Sequence, residues 1–195
     1  MIILGLTGPS GTGKTTVAEM ALDMGFEVID CDKAAAEVTT NKELLNNLEK
    51  AFAGVVTNGI LDRKALAQKA FATDEKTNLL NSIMLPVIVQ NINEKINAAK
   101  DRGVTHLLLD APTLYESGED KKCTAVIAVL AEKSIRKARI LKRDNLNETQ
   151  LESRLKAAKA DDFYLQRAQH IIYNNGDLTD FKAKTTEILK KFKEN

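Results

Sequence analysis

An α/β fold built on a parallel sheet is predicted by three observations. Short apolar runs of β-forming residues recur along the chain, separated by stretches with helical spacing. The runs are nearly continuous in apolar residues, as strands covered on both faces require. The first of them, Ile2-Ile3-Leu4-Gly5-Leu6-Thr7, leads directly into Gly8-Pro9-Ser10-Gly11-Thr12-Gly13-Lys14-Thr15, which satisfies G-x-x-x-x-G-K-[ST] and opens the helical pattern Val17-Ala18-Glu19-Met20-Ala21-Leu22. Strand, glycine loop and helix is the order in which this motif cradles phosphate.

Four further strands are expected, over residues 26–30, 104–110, 124–130 and 171–173, the last before Asn174-Asn175-Gly176. Helices are expected over 134–143 and 178–192. Alternation of this kind implies parallel strands with right-handed crossovers. Two segments are too long for plain crossovers. Residues 33–102 read as several helices, near 42–52 and 62–71 and then as a long stretch interrupted near Pro86, with turns at Gly54 and Asn58-Gly59. Residues 145–169 are polar and helical. In a phosphoryl-transfer enzyme such insertions supply an acceptor site and a closing lid. The organisation is therefore one domain of 195 residues with its core at 1–32, 103–144 and 170–195, an insertion at 33–102 and a lid at 145–169.

Composition excludes several classes. Net charge is +1 with 28% charged residues of both signs, so no strong field favours nucleic acid or a membrane surface. Cys31 and Cys123 have neither metal spacing nor a disulfide-rich pattern. No apolar run reaches the length of a membrane span, and the N-terminal apolar residues read as a strand rather than a leader. A cytoplasmic location is expected.

Chemistry concentrates at the strand ends. Glycines turn backbone N–H groups toward phosphate oxygens, and the helix N-terminus adds partial positive charge. Gly8, Gly11, Thr12, Gly13, Lys14, Thr15 and Thr16 form the expected nucleotide-binding set, with Lys14 on the β/γ-phosphates and the Thr15 hydroxyl on Mg²⁺. Ligands bind at the carboxyl ends of parallel strands, so Asp30, Asp32 and Asp110 are expected to face the loop. Asp32 suits a general base or the cap of the helix that follows. Asp110 closes an apolar strand, where a carboxylate holds the metal shell. Arg139 and Arg143, four apart on one helix with Arg136 nearby, suit a phosphate clamp or a solvated basic face paired with Asp144 or Glu132. His106 and His170 read as structural, and Met20 and Met24 as core filling.

Taken together the motifs resemble the dephospho-CoA kinase family. The similarity runs from Ile2 almost to the C-terminus, through Gly5-Leu6-Thr7-Gly8 and the phosphate loop, Val28-Ile29-Asp30-Cys31-Asp32-Lys33, Gly59-Ile60-Leu61-Asp62-Arg63-Lys64-Ala65-Leu66 and Asp110-Ala111-Pro112-Thr113-Leu114-Tyr115-Glu116. Arg139 with Lys142-Arg143-Asp144, and Ile172 with Asn174-Asn175-Gly176, complete it. The resemblance implies a P-loop kinase with a five-stranded parallel core, a helical acceptor-binding insertion and a lid. It implies ATP and Mg²⁺ as cofactors, dephospho-CoA as the small-molecule substrate, and transfer to the ribose 3′-hydroxyl; a monomer or weak homo-oligomer is expected. Asp32, Lys14, Arg139 and Arg143 are then the catalytic set; Asp30, Asp32, Arg63, Pro112, Leu114 and Glu116 bind substrate; Thr15 and Asp110 hold the metal.

The chain departs from the family pattern in places. Leu85-Pro86-Val87-Ile88-Val89 stands where the family has H-P followed by I-R, Ala36 where an arginine is common, and Ala158-Lys159-Ala160 with Tyr164 where the lid reads Q-M-P…K. Lys159 and Arg167 are candidate replacements for the lost cations. The losses fall in the acceptor and lid regions and leave the ATP half intact. A kinase for another nucleotide or small hydroxyl acceptor is the alternative enzyme. A non-catalytic nucleotide-binding protein is the alternative class, and the set Lys14, Thr15, Asp32 and Asp110 argues against it.

Overall fold

The most continuous apolar run lies deep in the sheet. In the computed structural model, which describes residues 1–144 and 147–194, β1 (Ile2–Thr7) leads through the glycine loop into α1 (Lys14–Asp23) and then β2 (Glu27–Asp30). Short elements follow: α2 (Cys31–Glu37), a 3₁₀ turn at Val38–Thr40, α3 (Lys42–Ala51), strands β3 (Val56–Thr57) and β4 (Ile60–Leu61), α4 (Arg63–Ala70) and α5 (Asp74–Asp101). The chain continues with β5 (His106–Asp110), a 3₁₀ turn at Glu119–Lys122, β6 (Ala125–Leu130), α6 (Lys133–Asp144), α7 (Glu148–Ala157), α8 (Asp161–Leu165), β7 (His170–Tyr173) and α9 (Leu178–Lys193). Asn145 and Leu146, which open the expected lid, and Asn195 lie outside the described residues.

All five expected strands form, in one parallel sheet of order β2-β5-β1-β6-β7. The central β1 pairs with β5 on one side and β6 on the other, with Leu6 opposite both Asp110 and Ile127. β6 explains the unbroken apolar signal. Its alternate residues Ala125, Ile127 and Val129 join the core formed with α1 and α9, through Val17, Ala21, Phe181 and Leu189. Ala128 and Leu130 instead pack with Tyr164 of α8. With both faces covered, every residue of β6 is buried, and each enclosed Leu, Ile or Val contributes about 1.5–3 kcal/mol. Met20 and Met24 are partly buried against the same core. The two histidines make edge-on ring contacts, His106 with Phe26 and His170 with Phe192.

The chain divides into two compact units, Met1–Asp30 with Ala99–Asn195, and Cys31–Ala98. The second unit has its own core, where Leu44, Leu48, Phe52, Leu66 and Leu80 pack together. Its helices begin at side-chain caps. Asn41 accepts from the Glu43 and Leu44 amides at 2.9 and 3.1 Å, and Asp62 from the Lys64 and Ala65 amides at 3.0 and 2.9 Å. The Asn58-Gly59 turn joins an antiparallel pair, β3 with β4, that periodicity does not reveal. Both turn residues have positive φ (53° and 76°), the geometry that suits a two-residue hairpin. Glu49 braces the approach to this hairpin, accepting from the Gly54, Val55 and Val56 amides at 2.6, 2.9 and 2.7 Å.

One expectation is corrected. The long helix is not interrupted at Pro86: α5 runs unbroken through it for 28 residues. Leu80, Ile83, Met84, Val87 and Ile88 flank the proline and all pack on the second unit's core, and this burial outweighs the one hydrogen bond that the imino acid cannot donate.

Candidate active site

The sheet order reverses beside β1, and ligands bind at the carboxyl edge of such a switch point. There the glycine loop turns from β1 into α1. Gly13 is the N-cap of α1 in a left-handed conformation (φ 105°), and no side chain caps the helix. The first-turn N–H groups are therefore backbone donors of the kind that bind anions. Gly8 has φ 134°, and a Cβ there would meet the Val129 carbonyl oxygen at 2.2 Å. The loop thus lies directly on the end of β6. Thr12 is fully buried and closes the loop on itself, its hydroxyl donating to the Pro9 carbonyl at 3.0 Å. The Lys14 ammonium arches back over the loop and donates to the carbonyls of Gly8 (2.7 Å) and Pro9 (3.1 Å). Thr15 is exposed in the first turn of α1.

Helix α6 supports the loop from outside. Arg136 is 6% exposed and its Nε donates to the Ser10 carbonyl at 3.1 Å. Burial holds its guanidinium below the ordinary pKa, an effect opposed by Asp161 and Tyr164. Arg139 donates to the Gly11 carbonyl at 3.4 Å and to the Asn174 side chain at 3.1 Å. Arg143 pairs with Asp144 at 2.5 and 2.9 Å and also reaches the Ser10 hydroxyl at 3.4 Å. The Asp144 carboxylate raises the Arg143 pKa. Of the acids weighed as partners for this helix, Asp144 pairs with Arg143, and both arginines also reach polar groups of the glycine loop.

The carboxylates separate by unit. Asp30 and Asp110 stand opposite each other at the ends of β2 and β5, and Asp110 is also opposite Leu6, shortly before the loop. Asp32 is the second residue of α2 in the second unit, inside the first turn, so the capping role expected for it is corrected: the helix already begins at Cys31. Arg63 opens α4 in that same unit and donates to the Thr39 hydroxyl at 3.3 Å. After β5, the Pro112 carbonyl accepts from the Thr7 hydroxyl at 3.3 Å. Leu114 is fully enclosed in the core, whereas Glu116 is exposed. Lys159 and Arg167, the candidate replacement cations, both stack on Phe163, at 5.6 and 4.3 Å from the ring centre. Burial pushes the nearby Tyr115 and Tyr164 hydroxyls up to about 12.

Two residues gain a part that sequence reasoning did not assign. Arg136 is the buried link from α6 to the loop, and Asn174 bonds to both that helix and the loop. The signal for Arg136 was its spacing from Ile140, four residues on and also buried. Asn174 carried only the motif after the last strand.

The sheet order and the loop at its switch point define the class, a P-loop kinase fold. The sequence profile of the dephospho-CoA kinase family matches residues 2–180, and the chain belongs to that family. It is 34% identical over 192 residues to a dephospho-CoA kinase of Corynebacterium glutamicum, covering 97% of this chain and 96% of that one. It is 31% identical over 186 residues to one of Fusobacterium nucleatum, covering 94% and 95%. A solved structure from Thermus thermophilus superposes with a TM-score of 0.84 at 29% identity, covering 97% of each chain.

Proposed function

We propose that this chain transfers the γ-phosphoryl group of ATP to the ribose 3′-hydroxyl of dephospho-CoA, giving CoA and ADP. The observation that carries this reading is the extent of the family match. It runs over residues 2–180 and so includes the helical insertion as well as the phosphate loop that many kinases have in common. The donor half rests on geometry. Uncapped first-turn amides of α1, Lys14 and the α6 arginines converge on one loop, and phosphoryl transfer depends mainly on such positioning and charge neutralisation.

In this reading the 3′-oxygen attacks the γ-phosphorus and the bond to the β,γ-bridging oxygen breaks. ADP leaves with that electron pair, and the hydroxyl proton passes to the Asp32 carboxylate and on to solvent. Lys14 exchanges its loop carbonyls for phosphate oxygens, and Arg139 and Arg143 neutralise charge on the transferring group. The second unit supplies the acceptor site, with Arg63, and residues 145–169 act as a lid. Asp30, Pro112, Leu114 and Glu116 complete the acceptor set, Leu114 as the core support of its segment. The exposed Thr15 hydroxyl and the Asp110 carboxylate are hard oxygen donors that fit Mg²⁺, which would polarise the phosphates when bound. No helix among the described residues is long and apolar enough to cross a membrane, and we place the enzyme in the cytoplasm as a monomer or weak homo-oligomer.

The test is a direct assay with ATP, Mg²⁺ and dephospho-CoA, following ADP release and locating the new phosphate by ³¹P NMR. Stoichiometric CoA supports the reading. Turnover only with other hydroxyl acceptors, or ATP binding with no transfer, overturns it.

A further inference from the structure

The side chain of Asn174 uses both ends of its amide on the donor site. Its Nδ2 donates to the Thr12 carbonyl at 2.8 Å, and its Oδ1 accepts from Arg139 at 3.1 Å. Its backbone N–H donates to the Leu130 carbonyl at 2.8 Å, which anchors the residue where β6 ends. Asn174 is 6% exposed and Thr12 fully buried. The amide has one possible orientation, because a carbonyl can only accept and a guanidinium can only donate. The fit is tight as well: a Cβ on Gly13 would lie 2.5 Å from Nδ2.

These contacts have a directional consequence. In a trans peptide the carbonyl of one residue and the N–H of the next point opposite ways. Holding the Thr12 carbonyl toward Asn174 therefore turns the Gly13 amide to the other side, among the donors at the start of α1. The same side chain holds Arg139, which also contacts the Gly11 carbonyl. We propose that Asn174 is a positioning residue for phosphoryl transfer, setting the Gly13 amide and the Arg139 guanidinium at a fixed spacing so that loop and arginine act on one phosphate as a unit. The proposal rests on the phosphate-clamping role read for Arg139.

The experiment is a double-mutant cycle on the full chain: wild type, Asn174→Leu, Arg139→Ala and the double variant, with Asn174→Asp alongside. Rates are measured with ATP varied and dephospho-CoA saturating. Asn174→Leu is expected to lower kcat on the order of tenfold or more, with the double variant no slower than the slower single. Multiplying losses, or wild-type kcat in Asn174→Leu, overturn the proposal. Asn174→Asp keeps the shape and the acceptor for Arg139 but faces the Thr12 carbonyl with a second acceptor. It should raise KM for ATP more than it lowers kcat. If Asn174→Leu does not melt cooperatively, Asn174→Asp decides, and wild-type KM there overturns the proposal. A wild type inactive on dephospho-CoA overturns the activity reading instead. ATP affinity of both Asn174 variants, measured without acceptor, then decides: weaker binding supports positioning and unchanged binding overturns it.

Discussion

Arg136 donates from its Nε to the Ser10 carbonyl at 3.1 Å, joining helix α6 to the phosphate loop across 126 residues of chain. A buried cation held by a backbone carbonyl makes the loop's shape depend on α6. Arg136→Met retains much of the stem volume and removes the donor. It should lower stability by about 1–3 kcal/mol and raise KM for ATP, measured by thermal denaturation and ATP titration. If neither moves, Arg136 is not that link.

Lys14→Ala tests the donor site with little effect on the fold. The side chain is only partly buried and contacts the Gly8 and Pro9 carbonyls, so stability should change by less than about 1 kcal/mol. Turnover should fall at least about 100-fold. Assaying CoA formation at saturating ATP checks this, and wild-type turnover would remove Lys14 from the donor site.

Gly8→Ala should damage the loop through backbone and sterics together. The position has φ 134°, and the new methyl would meet the Val129 carbonyl. Strain of this kind costs about 1–3 kcal/mol before the clash is counted. A lowered melting temperature with ATP binding lost is expected, read by calorimetry. Wild-type affinity would show that the loop can move off β6 at little cost.

Asp32→Asn separates the base from the helix terminus. At the second position of α2, asparagine keeps the size of aspartate and gives up only the modest dipole interaction of a first-turn charge, so the first turn of α2 should survive while the proton acceptor is lost. A general base contributes about 100-fold or more. The expected result is a fall of that order in kcat with ATP affinity retained. A kcat near wild type would leave Asp32 a purely structural role.

His170 introduces a pH dependence. Burial first, and Lys191 second, hold its pKa below the ordinary 6.5. The unfolded chain therefore takes up the proton first as pH falls. Stability should decline as pH drops below about 6.5, with the loss levelling off once the native ring also titrates. His170→Phe preserves an aromatic partner for Phe192 and should flatten this part of the melting-temperature profile. Parallel profiles for the two proteins would refute it.

Much of the donor half was legible because its determinants are local. Gly8 to Thr15 carries its own backbone requirements, and β1 and β6 announce themselves by apolar runs that burial on both faces demands. Pro86 shows where local reasoning fails. A single imino acid predicts a break, but the packing of Leu80, Ile83, Met84, Val87 and Ile88 carries α5 through it. The hairpin at Asn58-Gly59 was legible only as a turn, since strands of two residues are too short to show a period.

By itself, the sequence determined the class of fold, the five strands, the phosphate loop and the family, because motif order and hydrophobic period are properties of consecutive residues. Tertiary structure alone decided which side chains support that loop. Arg136 and Arg139 approach it from α6 and Asn174 from the end of β7, each more than 120 residues away along the chain. Contacts at that separation follow from the strand order of the sheet, which sets β6 beside β1 and β7 on the far side of β6, and no local pattern records it.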